Sequence, residues 1–278
     1  MVQVKIGIIG GSGLEDPNIL HDAVEREVNT PFGNPSDVLK IGTIDGVPCV
    51  LLSRHGRKHE ISPSNVNYRA NIWALHKMGC THVIVSTACG SLKEEITPGT
   101  LVLLDQFIDR TLNRKLTLYD STPGGPKGVC HMPMGHPFCE KTRRILADCA
   151  EELKLEHKKT GTAICVEGPR FSTKAESCLF RSWGGDVVNM TCVPEVTLAR
   201  EIGLCYASIA MPTDYDCWHE DIEHVHVDMV MKTFKLNCHK VEQLIRAAVK
   251  KIAEQSDWDE YIAKLQKMCK DSVMSECA

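Results

Sequence analysis

No two of the fourteen cysteines stand in a C-x-x-C pair, which removes both the zinc-site and the thioredoxin-like spacings at once. The cysteines are scattered singly from Cys49 to Cys277, mostly inside apolar runs such as Ala163-Ile164-Cys165-Val166. Unpaired cysteine in such a setting behaves as a small hydrophobe, and so many free thiols fit a reducing compartment. No apolar run reaches the ~18–20 residues that span a bilayer. Met1-Val2-Gln3-Val4-Lys5 runs straight into a strand-like segment, so no signal peptide is expected there. There is no lysine-rich stretch, and a net charge of −4 gives no reason to expect nucleic acid or an anionic membrane as partner. The expected address is the cytoplasm, with the nucleus open as a second compartment.

What the chain does have is an ordinary globular composition, 43% hydrophobic and 24% charged over 278 residues, enough to bury a core without disulfides or metal. Repeats, low-complexity linkers and composition breaks are absent. The short apolar runs at 4–9, 49–53, 82–86, 160–166, 186–189 and 204–210 read as buried strands. Longer segments at 65–78, 137–153, 173–183 and 194–202 read as helices, with Gly79 and Gly203 at C-cap positions. Apolar residues at 227, 230, 234, 241, 244, 245, 248 and 252 predict a long amphipathic helix, and 257–269 a further one. Strands interleaved with helices predict a single α/β domain over 1–278. Its core is a central mixed, mostly parallel β-sheet flanked by helices, and a helical segment follows at about 227–271.

In open α/β sheets ligands bind beyond the carboxyl ends of the strands. Here those ends carry Gly10-Gly11-Ser12-Gly13, Arg54-His55-Gly56, Thr87-Ala88-Cys89-Gly90, Met190-Thr191 and Thr213-Asp214-Tyr215-Asp216. The glycine turn is not G-x-G-x-x-G, because Asp16 stands at the third glycine's place, and it is no P-loop. It is not a nucleophile elbow either, since Leu14 follows Gly13. Its N–H groups and the Ser12 hydroxyl still suit an oxyanion, although a plain tight turn explains the glycines equally well. Arg54 offers a planar fork to phosphate oxygens and His55 a hydrogen bond or partial charge, while Thr87, Thr191 and the Ala88 backbone add donors. Without a lysine cluster, this donor set matches one small phosphate. Asp214 and Asp216 stand two apart beyond a strand. One could hold a proton at a purine N7 and the other accept from an exocyclic amine, with burial raising the acid's pKa, whereas the bland alternative is an Asx-turn. His55 and His59 have the spacing of a helical zinc pair, but Gly56 and Pro63 break the helix and no H-E-x-x-H glutamate is present. His219, His224 and His226 have no fixed ligand spacing, so no metal is expected.

The assembled stretches Arg54-His55-Gly56-Arg57, Val66-Asn67-Tyr68-Arg69-Ala70-Asn71, Thr87-Ala88-Cys89-Gly90-Ser91-Leu92, Glu167-Gly168-Pro169-Arg170-Phe171-Ser172, Asn189-Met190-Thr191 and Thr213-Asp214-Tyr215-Asp216-Cys217-Trp218 resemble the methylthioadenosine phosphorylase family, of the trimeric purine nucleoside phosphorylase group. The likeness runs from Lys5 to about Val249 and is loose over the last 25 residues. It implies phosphorolysis of S-methyl-5′-thioadenosine to adenine and 5-methylthioribose 1-phosphate, through an oxocarbenium-like transition state with inorganic phosphate as nucleophile and co-substrate and no cofactor. It implies that Ser12, Arg54, His55, Thr87, Ala88 and Thr191 hold phosphate. Met190 would lie on the ribose, with Phe171 and Ser172 at the base, Asp214 at N7 and Asp216 at the 6-amino group. Val227 and Val230 would shape a slot for the 5′-methylthio group. A homotrimer is implied, with His131 of a neighbouring subunit completing the site and the C-terminal end near Met274 closing over the slot. Ser12 stands where threonine is frequent, and Pro212, just ahead of the aspartates, could shift them. Rival readings are a phosphorylase of broader specificity that takes adenosine or methylthioinosine, a water-using nucleosidase, an NAD enzyme on a similar fold, and a non-catalytic nucleoside-binding protein.

Overall fold

The computed structural model describes residues 2–11, 19–219 and 227–274, with the side chains of 227–232 and 234–236 outside that description. In chain order the elements are β1 (Ile6–Gly10), β2 (His21–Arg26), β3 (Leu39–Ile44), β4 (Val47–Ser53), α1 (Tyr68–Lys77), β5 (His82–Ser91), β6 (Leu101–Leu103), β7 (Gln106–Arg110), β8 (Val129–Cys130), α2 (Glu140–Glu152), β9 (His157–Lys158), β10 (Thr162–Val166), α3 (Lys174–Ser182), β11 (Val187–Asn189), α4 (Cys192–Glu201), β12 (Cys205–Asp214), α5 (Val227–Glu254), α6 (Trp258–Asp271) and β13 (Val273–Met274). Eleven strands form one mixed sheet. Its main path runs β2-β3-β4-β1-β5-β11-β10-β7, and β12, β6 and β9 branch from β5. The β4–β1–β5–β12 and β7–β10–β11 pairings are parallel; β2–β3–β4, β5–β11 and β6–β12 are antiparallel.

Burial on both faces explains why the central strands read as unbroken apolar runs. Alternate residues serve opposite layers. Ile8, Leu51, Ile84 and Ile209 pack with α2, α5 and α6 through Leu146, Leu244, Ile245 and Trp258. Ile9, Leu52, Val85 and Tyr206 pack with α1 and α4 through Ile72, Leu75 and Val196. The helices begin where local chemistry satisfies their free N–H groups. Asn67 accepts from the Ala70 N–H to open α1, and Thr173 and Glu176 form a reciprocal capping box at α3. Gly79 and Gly203 sit at positive φ just past α1 and α4, a conformation that costs glycine little.

The single-domain α/β expectation holds, as do the expected strands and helices with shifted ends. Two ends matter. The Thr87–Gly90 stretch, read above as following a strand, lies inside β5, which continues to Ser91; likewise Met211–Asp214 completes β12. At the carboxyl end of β5 two neighbours meet it: β12 runs parallel beside it, and β11 pairs antiparallel with Gly90 and Ser91. The pairing of β12 with β5 shifts register between Pro212 and Asp214, so the irregularity expected from Pro212 is absorbed as a local bulge. The Pro212 carbonyl still accepts from the Gly99 N–H.

Candidate active site

The cavity at this convergence has a volume of about 210 Å³. The ends of β1, β4, β5, β10, β11 and β12 supply its wall, which is the strand-end position expected for an α/β ligand site. Of the residues singled out above, Arg54, His55, Thr87, Ala88, Phe171, Ser172, Met190, Thr191, Asp214 and Asp216 all line it. Ser12 lies outside the described residues, although Gly11 beside it is in the wall. Val227 and Val230 are on the first turn of α5, and their side chains are likewise outside the description. His131 and Met274 do not line the cavity of their own chain. The His131 N–H donates to the Ser272 carbonyl at 2.8 Å, and both residues border a separate surface depression beside α6. Met274 is exposed on the short β8–β13 ribbon.

One half of the cavity is rich in hydrogen-bond donors. Arg54, 1% exposed, sends Nε to Glu195 Oε1 at 2.7 Å, Nη2 to Glu195 Oε2 at 3.0 Å and Nη1 to the Ser86 carbonyl at 2.9 Å. Burial works against the guanidinium charge, but the Glu195 carboxylate outweighs it and holds Arg54 ionised. A Cβ on Gly11 would stand 3.1 Å from Arg54 Nη1 and from the Ser86 carbonyl oxygen, so the missing side chain is what lets the guanidinium lie there. The hydroxyls of Thr87 and Thr191 meet at 3.2 Å across the β5 end and the start of α4. His55 departs from the expectation of a partial charge. Burial first, and the neighbouring Arg54 charge second, push it down to about 4. Its Nδ1 lies 2.8 Å from the Ile61 carbonyl, which can only accept, so Nδ1 carries the proton and Nε2 presents a lone pair. His59 stacks 4.5 Å away and also lines the cavity.

The other half holds two carboxylic acids. Asp214 takes the Asp216 N–H on Oδ1 and the Thr213 hydroxyl on Oδ2, both at 2.7 Å. Burial raises its pKa, and the charge of Asp216 pushes the same way against those hydrogen bonds. Burial raises Asp216 too, opposed by the Ser177 and Ser172 hydroxyls. Asp216 sits at φ 50°, a left-handed conformation that Asp tolerates better than most side chains, and its Oδ2 has no partner among the described residues. Both side-chain atoms of buried Asn189, in the cavity wall, are likewise unpartnered among those residues. A Cβ on Gly90 would stand 3.1 Å from Asp214 Oδ1 and 3.1 Å from Asp216 Cβ, so this glycine makes room for the pair. Trp218 closes the turn behind them, donating Nε1–H to the Ser91 carbonyl at 2.8 Å, with the Arg181 guanidinium 3.3 Å from its ring centre.

Hydrogen-bond donors suited to a small anion, facing two protonatable carboxyls about one cavity at the strand ends of an α/β sheet, fit the class of the nucleoside phosphorylases. Residues 5–250 match the phosphorylase superfamily. The chain is 58% identical over 271 residues to S-methyl-5′-thioadenosine phosphorylase of Danio rerio, covering 98% of this chain and 96% of that protein. It is 61% identical over 273 residues to the enzyme of that name from Aedes aegypti, covering 98% and 97%. Methylthioadenosine phosphorylase of Schistosoma mansoni in complex with adenine superposes with a TM-score of 0.94 at 47% identity, over 98% of this chain and 99% of that one. A variant of the adenosine/methylthioadenosine phosphorylase of that organism, in complex with methylthioadenosine, superposes with a TM-score of 0.93 at 46% identity, with the same coverage. The chain belongs to the phosphorylase superfamily and, within it, to the S-methyl-5′-thioadenosine phosphorylase family.

Glu195 and His59 are site residues that the sequence gives no binding role, while Asn189 and Gly90 stand in it only as members of longer stretches. Glu195 follows Val193-Pro194 at the head of α4, a pattern that looks like an ordinary acidic first turn. In the sequence His59 stands out only through its zinc-like spacing from His55. Among the described residues no group of three or more His, Cys, Asp or Glu is arranged to hold a metal ion.

Proposed function

We propose that the chain catalyses phosphorolysis of S-methyl-5′-thioadenosine, giving adenine and 5-methylthioribose 1-phosphate. The observation that carries this reading is the pairing, within one cavity, of the Arg54–Thr87–Thr191 donor set with the buried acids Asp214 and Asp216. Phosphate sits among the donors, with the Ser12 loop and the Ala88 backbone contributing, and one of its oxygens attacks C1′. The C1′–N9 bond breaks early, leaving positive charge on the ribose that the adjacent phosphate stabilises, so positioning and electrostatics supply most of the rate. Protonated Asp214 gives its proton to N7, turning adenine into a neutral leaving group, and Asp216 accepts from the 6-amino group. Hydrogen phosphate loses one proton overall as adenine gains one. Neutral His55, with its Nε2 lone pair, suits the O–H of that phosphate. Met190, Phe171 and Ser172 flank the ribose and base, and the start of α5, with Val227 and Val230, provides the 5′ slot. No cofactor takes part.

The reading includes a homotrimer in which His131 and Met274 face a neighbour's cavity. Their shared position away from their own site supports it. It includes a cytoplasmic and nuclear address, supported by the buried free thiols. No described helix is long and apolar enough to cross a membrane. A similar enzyme from Schistosoma mansoni carries adenosine as well as methylthioadenosine in its name, which favours adenosine as a secondary substrate here. A hydrophobic slot rejects an added hydroxyl by only about a hundredfold. The test is incubation with methylthioadenosine with and without phosphate. Adenine release that requires phosphate supports the reading, whereas release without it makes the chain a hydrolase. A single-chain species on gel filtration would overturn the trimer.

A further inference from the structure

We propose that Glu195 is a positioning residue for phosphate: it fixes the Arg54 fork so that only the two remaining terminal N–H groups are offered to the anion. This rests on the phosphorylase reading above. A guanidinium has five N–H donors in a rigid plane. In Arg54 the protein takes three of them, Nε and one of Nη2 for the Glu195 carboxylate and one of Nη1 for the Ser86 carbonyl. That leaves one N–H on each terminal nitrogen, in a side chain that lines the cavity.

Glu195 is itself fully buried and held from behind. The Tyr206 hydroxyl donates to Oε2 at 2.8 Å from the start of β12. The chain Tyr206–Glu195–Arg54 thus ties the anion half of the cavity to the central sheet. The same α4 start that carries Glu195 carries Thr191, whose hydroxyl meets Thr87, so one helix end sets both the guanidinium and the hydroxyl pair. Gly11 keeps the opposite side of the guanidinium clear.

Two effects of Glu195 oppose each other, and that makes the role testable. Its negative charge weakens the field that Arg54 presents to phosphate. Its bidentate grip removes the rotational freedom that phosphate would otherwise have to freeze. If field alone mattered, Glu195→Gln would tighten phosphate. If position matters, it loosens it, because the carboxamide has one acceptor and turns an NH2 toward a guanidinium N–H.

The experiment measures KM for phosphate and KM for methylthioadenosine in wild type, Glu195→Gln and Tyr206→Phe, with thermal melts to confirm folding. Glu195→Gln is expected to raise KM for phosphate roughly tenfold or more, the scale of one charge-assisted hydrogen bond, with KM for the nucleoside unchanged. Tyr206→Phe, which loosens the carboxylate at constant charge, gives a smaller rise in the same direction and decides the matter if the first variant does not fold. Glu195→Asp keeps the charge but loses the reach, and it is expected to fail to rescue. Phosphate KM that stays the same or falls in both Glu195→Gln and Tyr206→Phe, in an enzyme whose wild type needs phosphate, overturns the positioning role alone. A wild type that ignores phosphate overturns the phosphorylase reading, and this inference falls with it.

Discussion

Replacing Asp214 with Asn separates the chemistry of the site from its architecture. The substitution keeps the shape of the side chain. The oxygen that accepts the Asp216 N–H can stay, and the new NH2 can donate to the Thr213 hydroxyl, which can turn its own hydrogen to the Cys89 carbonyl 3.3 Å away. What disappears is the proton. Loss of a general acid costs about 10²–10⁴ in rate, and because Asn can still donate a hydrogen bond to N7 the lower end, about a hundredfold or roughly 3 kcal/mol, is expected. KM for phosphate is expected to hold, since Asp214 makes no bond to Arg54, Thr87 or Thr191. Stability moves the other way. The folded protein raises the pKa of Asp214 above its unfolded value, so the ionised form is disfavoured on folding at neutral pH, and that penalty fades as pH falls through the folded pKa. Asn never ionises. Asp214→Asn is therefore expected to melt higher than wild type near pH 7, with the gap closing toward pH 4. In steady-state kinetics the wild type should lose activity as pH rises through the Asp214 pKa, and the variant should lack that limb. Turnover preserved to within a few-fold, or a lower melting point at pH 7, would refute the protonated-acid account.

Gly168→Ala places a Cβ 2.5 Å from the Met190 sulfur at a φ of +70°, a conformation costing a non-glycine residue about 1–2 kcal/mol. Nucleoside KM should rise as Met190 is pushed from the cavity wall, and the melting point should drop by several degrees; unchanged values for both would refute the close approach. His82, fully buried against Trp258, is pushed down to about 3 by burial, with the Lys141 charge adding to it. Its folded pKa lies below its unfolded value, so the unfolded chain takes up the proton first and stability falls as pH drops from about 6.5 toward 3, by up to about 1.4 kcal/mol per pH unit. Melts between pH 7 and 4.5 should be less steep for His82→Leu than for wild type, and identical slopes would contradict this. Gly11→Ala should raise KM for phosphate by displacing Arg54 and leave nucleoside binding intact, as read by titration of each ligand separately.

The parts of the fold legible in the sequence are those buried on both faces. β1, β4, β5 and β12 carry unbroken apolar runs because alternate residues meet opposite helix layers, and a pattern of that kind survives in one dimension. The hidden elements had no such pattern. β2 (His-Asp-Ala-Val-Glu-Arg) is exposed along its whole length at the sheet edge, and β8 and β13 are two residues each, paired with one another in a ribbon of their own. Most of the site was legible because ligand sites in α/β sheets gather near the carboxyl ends of strands, so Arg54, Thr87, Thr191 and Asp214 could be collected without knowing distances, although Thr87 lies inside β5 and the strand leading to Thr191 runs antiparallel to it. Glu195 was not. A charge fully buried beneath a helix start has the same local sequence as one facing water, and only the approach of Arg54 from another strand, 141 residues away in the chain, distinguishes them. The neutral state of His55 was hidden for a similar reason: it depends on burial and on a carbonyl supplied by the loop that follows.

In the proposed reaction phosphate, and not water, forms the new bond at C1′. The most direct measurement is the reaction with methylthioadenosine and ordinary phosphate in water enriched in oxygen-18, followed by mass spectrometry of the sugar product. The expected product is 5-methylthioribose 1-phosphate with no label, formed one for one with adenine. Free methylthioribose carrying oxygen-18 would contradict it.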